Sequence, residues 1–298
     1  MQIETQKNHS QAPFINPNSE LYQEFWDKGF VLIKNLIDVE KVRAAKNWLL
    51  SHDLKSLAKT FTDQEPLVPL AVYQYLQNSE NPVGDLVRDP ATLKIAEQLL
   101  GEPIYIWSSK VNLKAAWYGT AEYYHQDYAY WKERGYAKDT MMSCMVFMDN
   151  HSIKNAALHV IPHSHKEGFL EHVPFINTNG LQKFTIPEKT MNELSGRHGL
   201  HVIDAKPGDA LFFHANLIHG SSHNISGDPR MIMLSQINTM SNRAQEVQEN
   251  AKRFLLSRAK SEMDTALERY HYFKQKYEEQ LKSQELLFNS PIATEEKS

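Results

Sequence analysis

The sequence has little that would indicate secretion, membrane insertion or nucleic-acid binding. Cys144 is its only cysteine, so no intrachain disulfide can form, which favours a reducing compartment such as the cytoplasm. Residues 1–19 lack the apolar segment of a signal peptide, and no run approaches the ~18 apolar residues of a membrane helix. The formal charge of −4, from 32 basic and 36 acidic residues without a basic block, argues against a nucleic-acid partner.

Several common catalytic motifs are also missing. The sequence has no glycine-rich dinucleotide loop, no phosphate-binding Walker loop, no His-Glu-x-x-His, no Cys-x-x-Cys and no Gly-x-Ser-x-Gly. Internal repeats and low-complexity tracts are absent as well. These absences leave no sequence basis for a nucleotide-binding fold, a zinc protease, a thiol oxidoreductase or a serine hydrolase.

The first hundred residues read as helices around a short buried strand. Ser19 is a good N-cap for a helix that Gly29 ends, and Gly101 ends a later one in the same way. Helices are predicted at 20–28, 39–52 and 91–100, and a strand at 30–37.

From about residue 105 the pattern changes to short β-rich runs with no helices predicted between them. Such runs are typical of an antiparallel barrel or jelly roll, so we expect a mainly β fold with helical additions. The runs cover 105–117, 122–131, 141–148, 158–161, 201–203, 210–213, 217–221 and 230–239.

After Met240 the pattern becomes helical again. Residues 242–288 contain neither glycine nor proline, and their apolar residues recur at intervals of three and four. The sequence therefore predicts a jelly-roll domain over 1–241 and a helical extension over 242–298. The apolar stripe of that extension would pack on the same domain or on a partner subunit of a homo-oligomer.

One ordered set of residues predicts a metal site. His125 and Asp127 are two residues apart on a predicted strand, so both side chains can reach the same point. A second histidine, His219, would complete a 2-His-1-carboxylate triad, which leaves three metal positions open in non-haem iron enzymes. Arg230 follows 11 residues after His219. The order and spacing of the four residues are much rarer than any one of them.

Other histidines compete for the metal. His214 is an alternative to His219 but directly follows an apolar run, whereas His219 has the better spacing to Arg230. His159, His163 and His165 lie close together in sequence, but Pro162 would interrupt a strand there, so loop histidines are the preferred interpretation.

These residues match a known pattern. The chain resembles the phytanoyl-CoA hydroxylase-like family of Fe(II)/2-oxoglutarate dioxygenases, and its ectoine hydroxylase branch in particular, over about residues 20–240. The resemblance is carried by Lys110-Val111-Asn112-Leu113-Lys114, His125-Gln126-Asp127-Tyr128-Ala129-Tyr130-Trp131, Gly29-Phe30-Val31-Leu32, the loop from Asn155 to His165, and Pro207-Gly208-Asp209.

The resemblance implies a double-stranded β-helix, a cupin-like jelly roll, that uses Fe(II), 2-oxoglutarate and O₂. His125, Asp127 and His219 would hold the iron, and Arg230, Ser221, Asn112 and, with less support, Lys110 would hold 2-oxoglutarate. Arginine suits that task because its guanidinium can bind a carboxylate through two parallel hydrogen bonds. The implied reaction converts 2-oxoglutarate and O₂ to succinate and CO₂ while oxidising, most simply hydroxylating, an unactivated C–H bond of a small metabolite or natural-product intermediate.

Some features leave the substrate and the reaction open. Family members often have Asn-Gly and Pro-Gly-Ser-His where this chain has Asn155-Ala156 and Pro162-His163-Ser164-His165, which bears on loop shape near the site. A cupin-like metalloenzyme that does not use 2-oxoglutarate, or a non-catalytic jelly-roll binding protein, are the alternatives. The first has no need for Arg230 as a carboxylate clamp, and the intact metal ligands weigh against the second.

Two aromatic residues are the candidates for substrate contact. If 122–131 is one continuous strand, Tyr123 and Trp131 share the face of His125 and Asp127. Trp131 would then line the substrate chamber and could hold a cationic group by a cation–π contact.

Overall fold

In the computed structural model, residues 15–52, 70–73, 76–117, 119, 121–132, 135–176 and 182–242 are described. The chain divides into two compact units, one comprising 1–173 and 184–247 and the other 174–183 and 248–298. The predicted C-terminal helix over 242–288 lies outside the described residues except for Asn242, so that prediction stays untested.

The helices of the described residues begin and end where local chemistry dictates. Ser19 accepts a hydrogen bond from the Tyr22 backbone N–H at the start of the first helix, and Gly29 ends it with φ of 86°. Gly101 ends the fourth helix in the same left-handed conformation, at φ of 74°. The helices are α1 (Glu20–Lys28), α2 (Val39–Ser51), α3 (Pro82–Val87), α4 (Pro90–Leu100), α5 (Tyr128–Lys132) and α6 (Glu188–His198).

The strands form antiparallel sheets. A six-stranded sheet has the order β1-β10-β5-β12-β3-β2, a four-stranded sheet the order β4-β11-β6-β9, and β7 pairs with β8. The strands are β1 (Phe30–Ile33), β2 (Leu70–Tyr73), β3 (Ile104–Lys114), β4 (Glu122–His125), β5 (Met141–Phe147), β6 (His159–Val160), β7 (Val173–Ile176), β8 (Gln182–Thr185), β9 (His201–Val202), β10 (Ala210–His214), β11 (His219–Ser221) and β12 (Arg230–Thr239).

The six-stranded sheet separates two apolar cores. Cys144 and Val146 of β5 face the N-terminal helices and pack in the same core as Phe25 of α1. Met145 and Phe147, on the opposite face of β5, pack in a second core that includes residues of the four-stranded sheet and its loops. The interior between the two sheets, where β3, β5, β11 and β12 meet, is the space that a jelly roll uses for ligands.

Most sequence-based element predictions are confirmed, but three are wrong. The strand predicted at 30–37 ends at Ile33. The strand predicted at 122–131 ends at His125, because Tyr128 donates its backbone N–H to Ala215 O and the chain turns into α5. The β-rich region also contains α6, of which only Leu194 is buried, so its apolar pattern is weak in the sequence. None of the described helices is long and apolar enough to cross a membrane.

Candidate metal centre and anion pocket

The structure brings His125, Asp127 and His219 together. Each offers one ligand atom, and the three atoms lie within 4.8 Å of one another. Asp127 Oδ1 is 3.7 Å from the Nε2 atoms of both histidines. His125 and His219 are opposite each other on the paired strands β4 and β11. All three side chains are buried, and within the described residues no other group of acidic, histidine or cysteine side chains meets the same distance criterion.

Backbone carbonyl groups orient both histidines toward the centre. His125 Nδ1 donates to Tyr123 O at 2.7 Å, and His219 Nδ1 donates to Leu217 O at 3.0 Å. This places the proton on Nδ1 and leaves the Nε2 lone pair for a metal ion, as is usual for ligating histidines. Burial, together with the nearby His125, lowers the pKa of His219 to about 4, so His219 is a neutral ligand at physiological pH.

Asp127 is held as a carboxylate. Its Oδ2 accepts a hydrogen bond of 2.6 Å from Ser143 Oγ on β5. Burial acts to raise the pKa of Asp127, but the nearby His219 and His125 and the hydrogen bond from Ser143 hold that pKa well below its usual value. Two imidazole nitrogens and one buried carboxylate are the donor set that suits a divalent iron ion.

The competing histidines lie elsewhere. His214 packs its ring against Phe25 and Trp26 of α1, and its Nδ1 accepts from the Asn216 backbone N–H. His159 Nδ1 contacts the Tyr124 hydroxyl, and His165 Nε2 contacts Trp26 O. The structure therefore assembles the triad that includes His219 and leaves His214 as a packing residue.

A cationic pocket lies between β3, β11 and β12. Arg230 is opposite Lys114 in the β3–β12 pair, and both residues are buried. Lys114 Nζ donates to Ser221 Oγ and to Ser222 O, each at 2.7 Å. Asn112 lies two residues before Lys114, on the same face of β3. We call Lys114, Ser221 and Arg230 the anion pocket.

Burial lowers the pKa of both cations of the anion pocket. Burial lowers the pKa of Arg230 to about 10, so its guanidinium stays charged at neutral pH. Burial and the adjacent Arg230 lower the pKa of Lys114 to about 7, although Glu122 opposes that shift. A bound anion would relieve both effects, because an opposite charge favours the protonated form.

Unpaired polar atoms support the same interpretation. Among the described residues, Arg230 Nε and Asn112 Oδ1 are buried without a hydrogen-bond partner. Buried polar atoms in native proteins are almost always paired, so these two are expected to meet a ligand or water. Lys110 shares the face of Asn112 on β3 and is half-buried. Arg230 and Asn112, two of the positions predicted to hold 2-oxoglutarate, therefore lie on the paired strands β12 and β3, and Ser221 of β11 is linked to them through Lys114 Nζ.

Trp131 does not lie where strand parity predicted. Because β4 ends at His125, Trp131 belongs to α5 and is 1% exposed. It packs edge-to-face against Trp107 at 6.0 Å, in a cluster with Tyr128 and Met141. The strand argument for its contact with substrate is therefore wrong. Tyr123 is on β4 as predicted, with 55% of its surface exposed.

A different aromatic residue stands beside the metal ligands. The turn into α5 brings the Tyr130 ring to 5.5 Å from the His125 ring, at an angle of 88°. The Tyr130 hydroxyl accepts a hydrogen bond from the Phe184 backbone N–H at 3.2 Å. Sequence reasoning missed Tyr130 because it treated the segment as extended.

Gln126, between two metal ligands, was also missed. Its side chain is fully buried and donates from Nε2 to Gly168 O and Asn216 O, while Oε1 accepts from Leu170 N. It thus ties the His125–Asp127 segment to the turn before His219. A buried glutamine in a ligand motif gives no sequence signal of its own. Lys114 was missed as well, although it is two residues from Asn112 on β3 and therefore on the same face of the strand.

Comparison with known proteins identifies relatives of this chain. The family model described as phytanoyl-CoA dioxygenase (PhyH) matches residues 25–232. The L-proline trans-4-hydroxylase of Streptomyces griseoviridis is 33% identical over 168 residues, which cover 53% of this chain and 63% of the relative. This chain thus spans less than two thirds of that enzyme. The ectoine dioxygenase of Bordetella bronchiseptica is 27% identical over 235 residues, covering 76% of each chain.

A solved structure shares the fold. The crystal structure of EctD from S. alaskensis with 2-oxoglutarate and 5-hydroxyectoine aligns with a TM-score of 0.65 and 26% identity, covering 80% of this chain and 82% of that one. The same enzyme with bound Fe aligns with a TM-score of 0.64. The mainly β, double-stranded β-helix fold predicted from the sequence is confirmed.

Proposed function

Because this chain belongs to the phytanoyl-CoA dioxygenase family, we propose that it is an Fe(II)- and 2-oxoglutarate-dependent dioxygenase that hydroxylates an unactivated C–H bond of a small polar metabolite. The observation that carries the proposal is the buried His125, Asp127 and His219 triad next to a buried cationic pocket. The reaction would convert 2-oxoglutarate, O₂ and substrate to succinate, CO₂ and the hydroxylated product.

The residues present fit iron. His125, Asp127 and His219 supply two imidazole nitrogens and one carboxylate on one side, so an octahedral ion would keep three adjacent positions open. When bound, iron supplies the chemistry that activates O₂. The protein contributes fixed ligand orientation through the carbonyls of Tyr123 and Leu217.

The anion pocket fits the distal carboxylate of 2-oxoglutarate. Arg230 offers a guanidinium that is 6% exposed and still charged at neutral pH. Lys114 donates to Ser221 Oγ, so the Ser221 proton is free to point toward a bound carboxylate. Asn112 lies between these residues and Lys110 on the same strand face, which supports contact with the other end of the cosubstrate.

The substrate is expected to be small and polar. The named relatives are an L-proline trans-4-hydroxylase and an ectoine dioxygenase, and both names refer to small polar molecules. In this chain Tyr130 stands next to His125 and contributes an aromatic face to that side of the centre. Tyr123 stays a candidate for substrate contact, whereas the burial of Trp131 against Trp107 removes the basis for its predicted contact.

A substrate screen tests this function. Purified protein with Fe(II), ascorbate and 2-oxoglutarate would be incubated with a panel that includes L-proline, ectoine and related cyclic amino acids. We expect mass spectrometry to find one compound that gains an oxygen atom, with succinate formed in equal amount. A product that loses two hydrogens would indicate desaturation or ring formation instead. Iron-dependent turnover of a compound without use of 2-oxoglutarate would favour the cupin-like alternative.

Localisation and assembly are further proposals. One unpaired cysteine supports a cytoplasmic protein. The helical pattern of 242–288 supports packing on this domain or on a second copy. Asn242 donates from Nδ2 to Lys138 O and Asn238 Oδ1, so a truncated chain should end at Asn242 rather than before it. Light scattering that finds a soluble, active truncated chain with an unchanged number of chains per assembly would refute both packing modes.

A further inference from the structure

Asp127 is held differently from the two histidine ligands. His125 and His219 each donate to a carbonyl two residues earlier in their own segment. Asp127 lies after the end of β4, in the turn that precedes α5, so no strand pairing orients its side chain. Its carboxylate needs support from another part of the molecule.

Ser143 supplies this support from the six-stranded sheet. It lies on β5 opposite Phe213 of β10, its side chain is fully buried, and its Oγ is 2.6 Å from Asp127 Oδ2. The other oxygen, Oδ1, is the one that is 3.7 Å from the Nε2 atoms of His125 and His219. The two carboxylate oxygens therefore have different neighbours. One faces the histidines, and the other is occupied by a charge-assisted hydrogen bond, which is among the stronger kinds.

We propose that Ser143 is a positioning residue that keeps Asp127 a single-oxygen metal ligand, an inference that rests on the proposed function. Carboxylates can bind a metal ion through one oxygen or through both. A 2-oxo acid and O₂ together require three open positions, and a second oxygen from Asp127 would take one of them. By engaging Oδ2, Ser143 keeps the third position available.

The test uses Co(II) as a spectroscopic substitute for iron. Ser143→Ala removes the hydroxyl, and Ser143→Thr retains one. The matched control is Ser109→Ala, because Ser109 is equally buried in the same sheet and its Oγ donates to Gln77 Oε1 at 2.6 Å, away from the triad. Calorimetric titration of 2-oxoglutarate into each Co(II)-loaded protein gives the affinity, and visible absorption of Co(II) reports its ligand set.

We expect Ser143→Ala to weaken 2-oxoglutarate binding about 10- to 100-fold, the usual range for losing a group that supports a ligand. The Co(II) spectrum before addition of 2-oxoglutarate should differ from that of wild type, because the second Asp127 oxygen replaces another ligand on the ion. Ser143→Thr should recover most of the affinity, and Ser109→Ala should match wild type. An unchanged spectrum and affinity in Ser143→Ala would overturn the proposal. Equal losses in Ser143→Ala and Ser109→Ala, with lower melting temperatures, would also overturn it. A wild-type protein that binds neither Co(II) nor 2-oxoglutarate would instead refute the proposed function.

Discussion

The triad and the anion pocket occupy the same interior, yet the protein completes them in different ways. At the triad, each ligand has a hydrogen-bond partner of its own: Tyr123 O, Leu217 O or the Ser143 hydroxyl. In the anion pocket, two buried cations face each other across a strand pair, and Arg230 Nε has no partner among the described residues. The triad is thus preorganised for a metal, whereas the anion pocket holds two cations whose attraction to Glu122 does not offset the effect of burial on their pKa values.

This difference indicates that the anion pocket depends on a bound anion more than the triad depends on a bound metal. Hydrogen bonds within the protein orient all three ligands of the triad, as expected for a site whose rigidity controls coordination. The anion pocket keeps two like charges in a place of low polarity, an arrangement that is unfavourable until an anion arrives. Variants of the triad should therefore affect metal binding, and variants of the anion pocket should affect the cosubstrate.

The largest effect is expected at His219. His219→Ala should abolish tight Fe(II) binding, with a loss that exceeds the ~10- to 100-fold typical of changes around a ligand. Iron affinity would be measured by anaerobic titration. The matched control is His214→Ala, because His214 is similarly buried but packs on α1. Equal losses of iron affinity in both variants would contradict the assignment of the triad.

The second effect separates the anion pocket from the triad. Arg230→Lys keeps the charge but loses the planar fork of donors, and a hydrogen bond between charged groups contributes about 1.5–3 kcal/mol. The 2-oxoglutarate KM should rise by one to two orders of magnitude, at about 1.4 kcal/mol per tenfold, while iron affinity stays constant. Arg197→Lys on the surface of α6 is the control. An unchanged KM would make Arg230 a structural residue.

A third, smaller effect follows from Lys114. Its pKa of about 7, lowered by burial and by Arg230, means that it loses its charge as the pH rises through neutrality. A bound dianion favours the protonated form, so 2-oxoglutarate affinity should be highest below pH 7 and fall about tenfold by about pH 9. Arg230 stays charged over this range, and burial lowers the pKa values of the neighbouring His151 and His159, so neither gains charge there.

Calorimetry on Co(II)-loaded protein at a series of pH values would measure this dependence. Lys114→Met, which keeps the length of the side chain without its charge, should bind 2-oxoglutarate weakly and with a flat pH profile. If Lys114→Met keeps the wild-type profile, another group is responsible for it.

The smallest expected effect on cosubstrate binding comes from Gln126, whose contribution is mainly to stability. Gln126→Met would leave Gly168 O, Asn216 O and Leu170 N without their buried partner, which should cost about 2–4 kcal/mol of folding free energy and roughly 5–10 °C in Tm. Gln23→Met, on the exposed side of α1, should change little. Equal melting temperatures for the two variants would show that the Gln126 side chain does not tie these segments together.

Local chemistry explains which elements could be predicted from the sequence. The capping of α1 by Ser19 and Gly29 depends on neighbours in sequence, and the β-rich run predicted at 230–239 has the same bounds as β12. The triad could be predicted because its order and spacing carry the information, whatever the path of the chain between the ligands.

Long-range contacts explain what could not be predicted. The turn that ends β4 depends on Ala215 accepting the Tyr128 N–H, and Lys114 finds its partners more than a hundred residues away in Ser221 and Ser222. Such contacts leave no periodic trace in the sequence. The error at Trp131 has this cause, since strand parity holds only while the strand continues.

Isotope labelling of succinate tests the central claim most directly. The Fe(II)-loaded protein would be incubated with 2-oxoglutarate under ¹⁸O₂, and the succinate formed would be analysed by mass spectrometry beside His219→Ala and a metal-free sample. We predict that wild-type succinate carries one heavy oxygen atom, and that neither control forms succinate above background. Succinate without the label, or labelled succinate formed equally by His219→Ala, would contradict the claim that this triad activates O₂ for a 2-oxoglutarate-dependent oxidation.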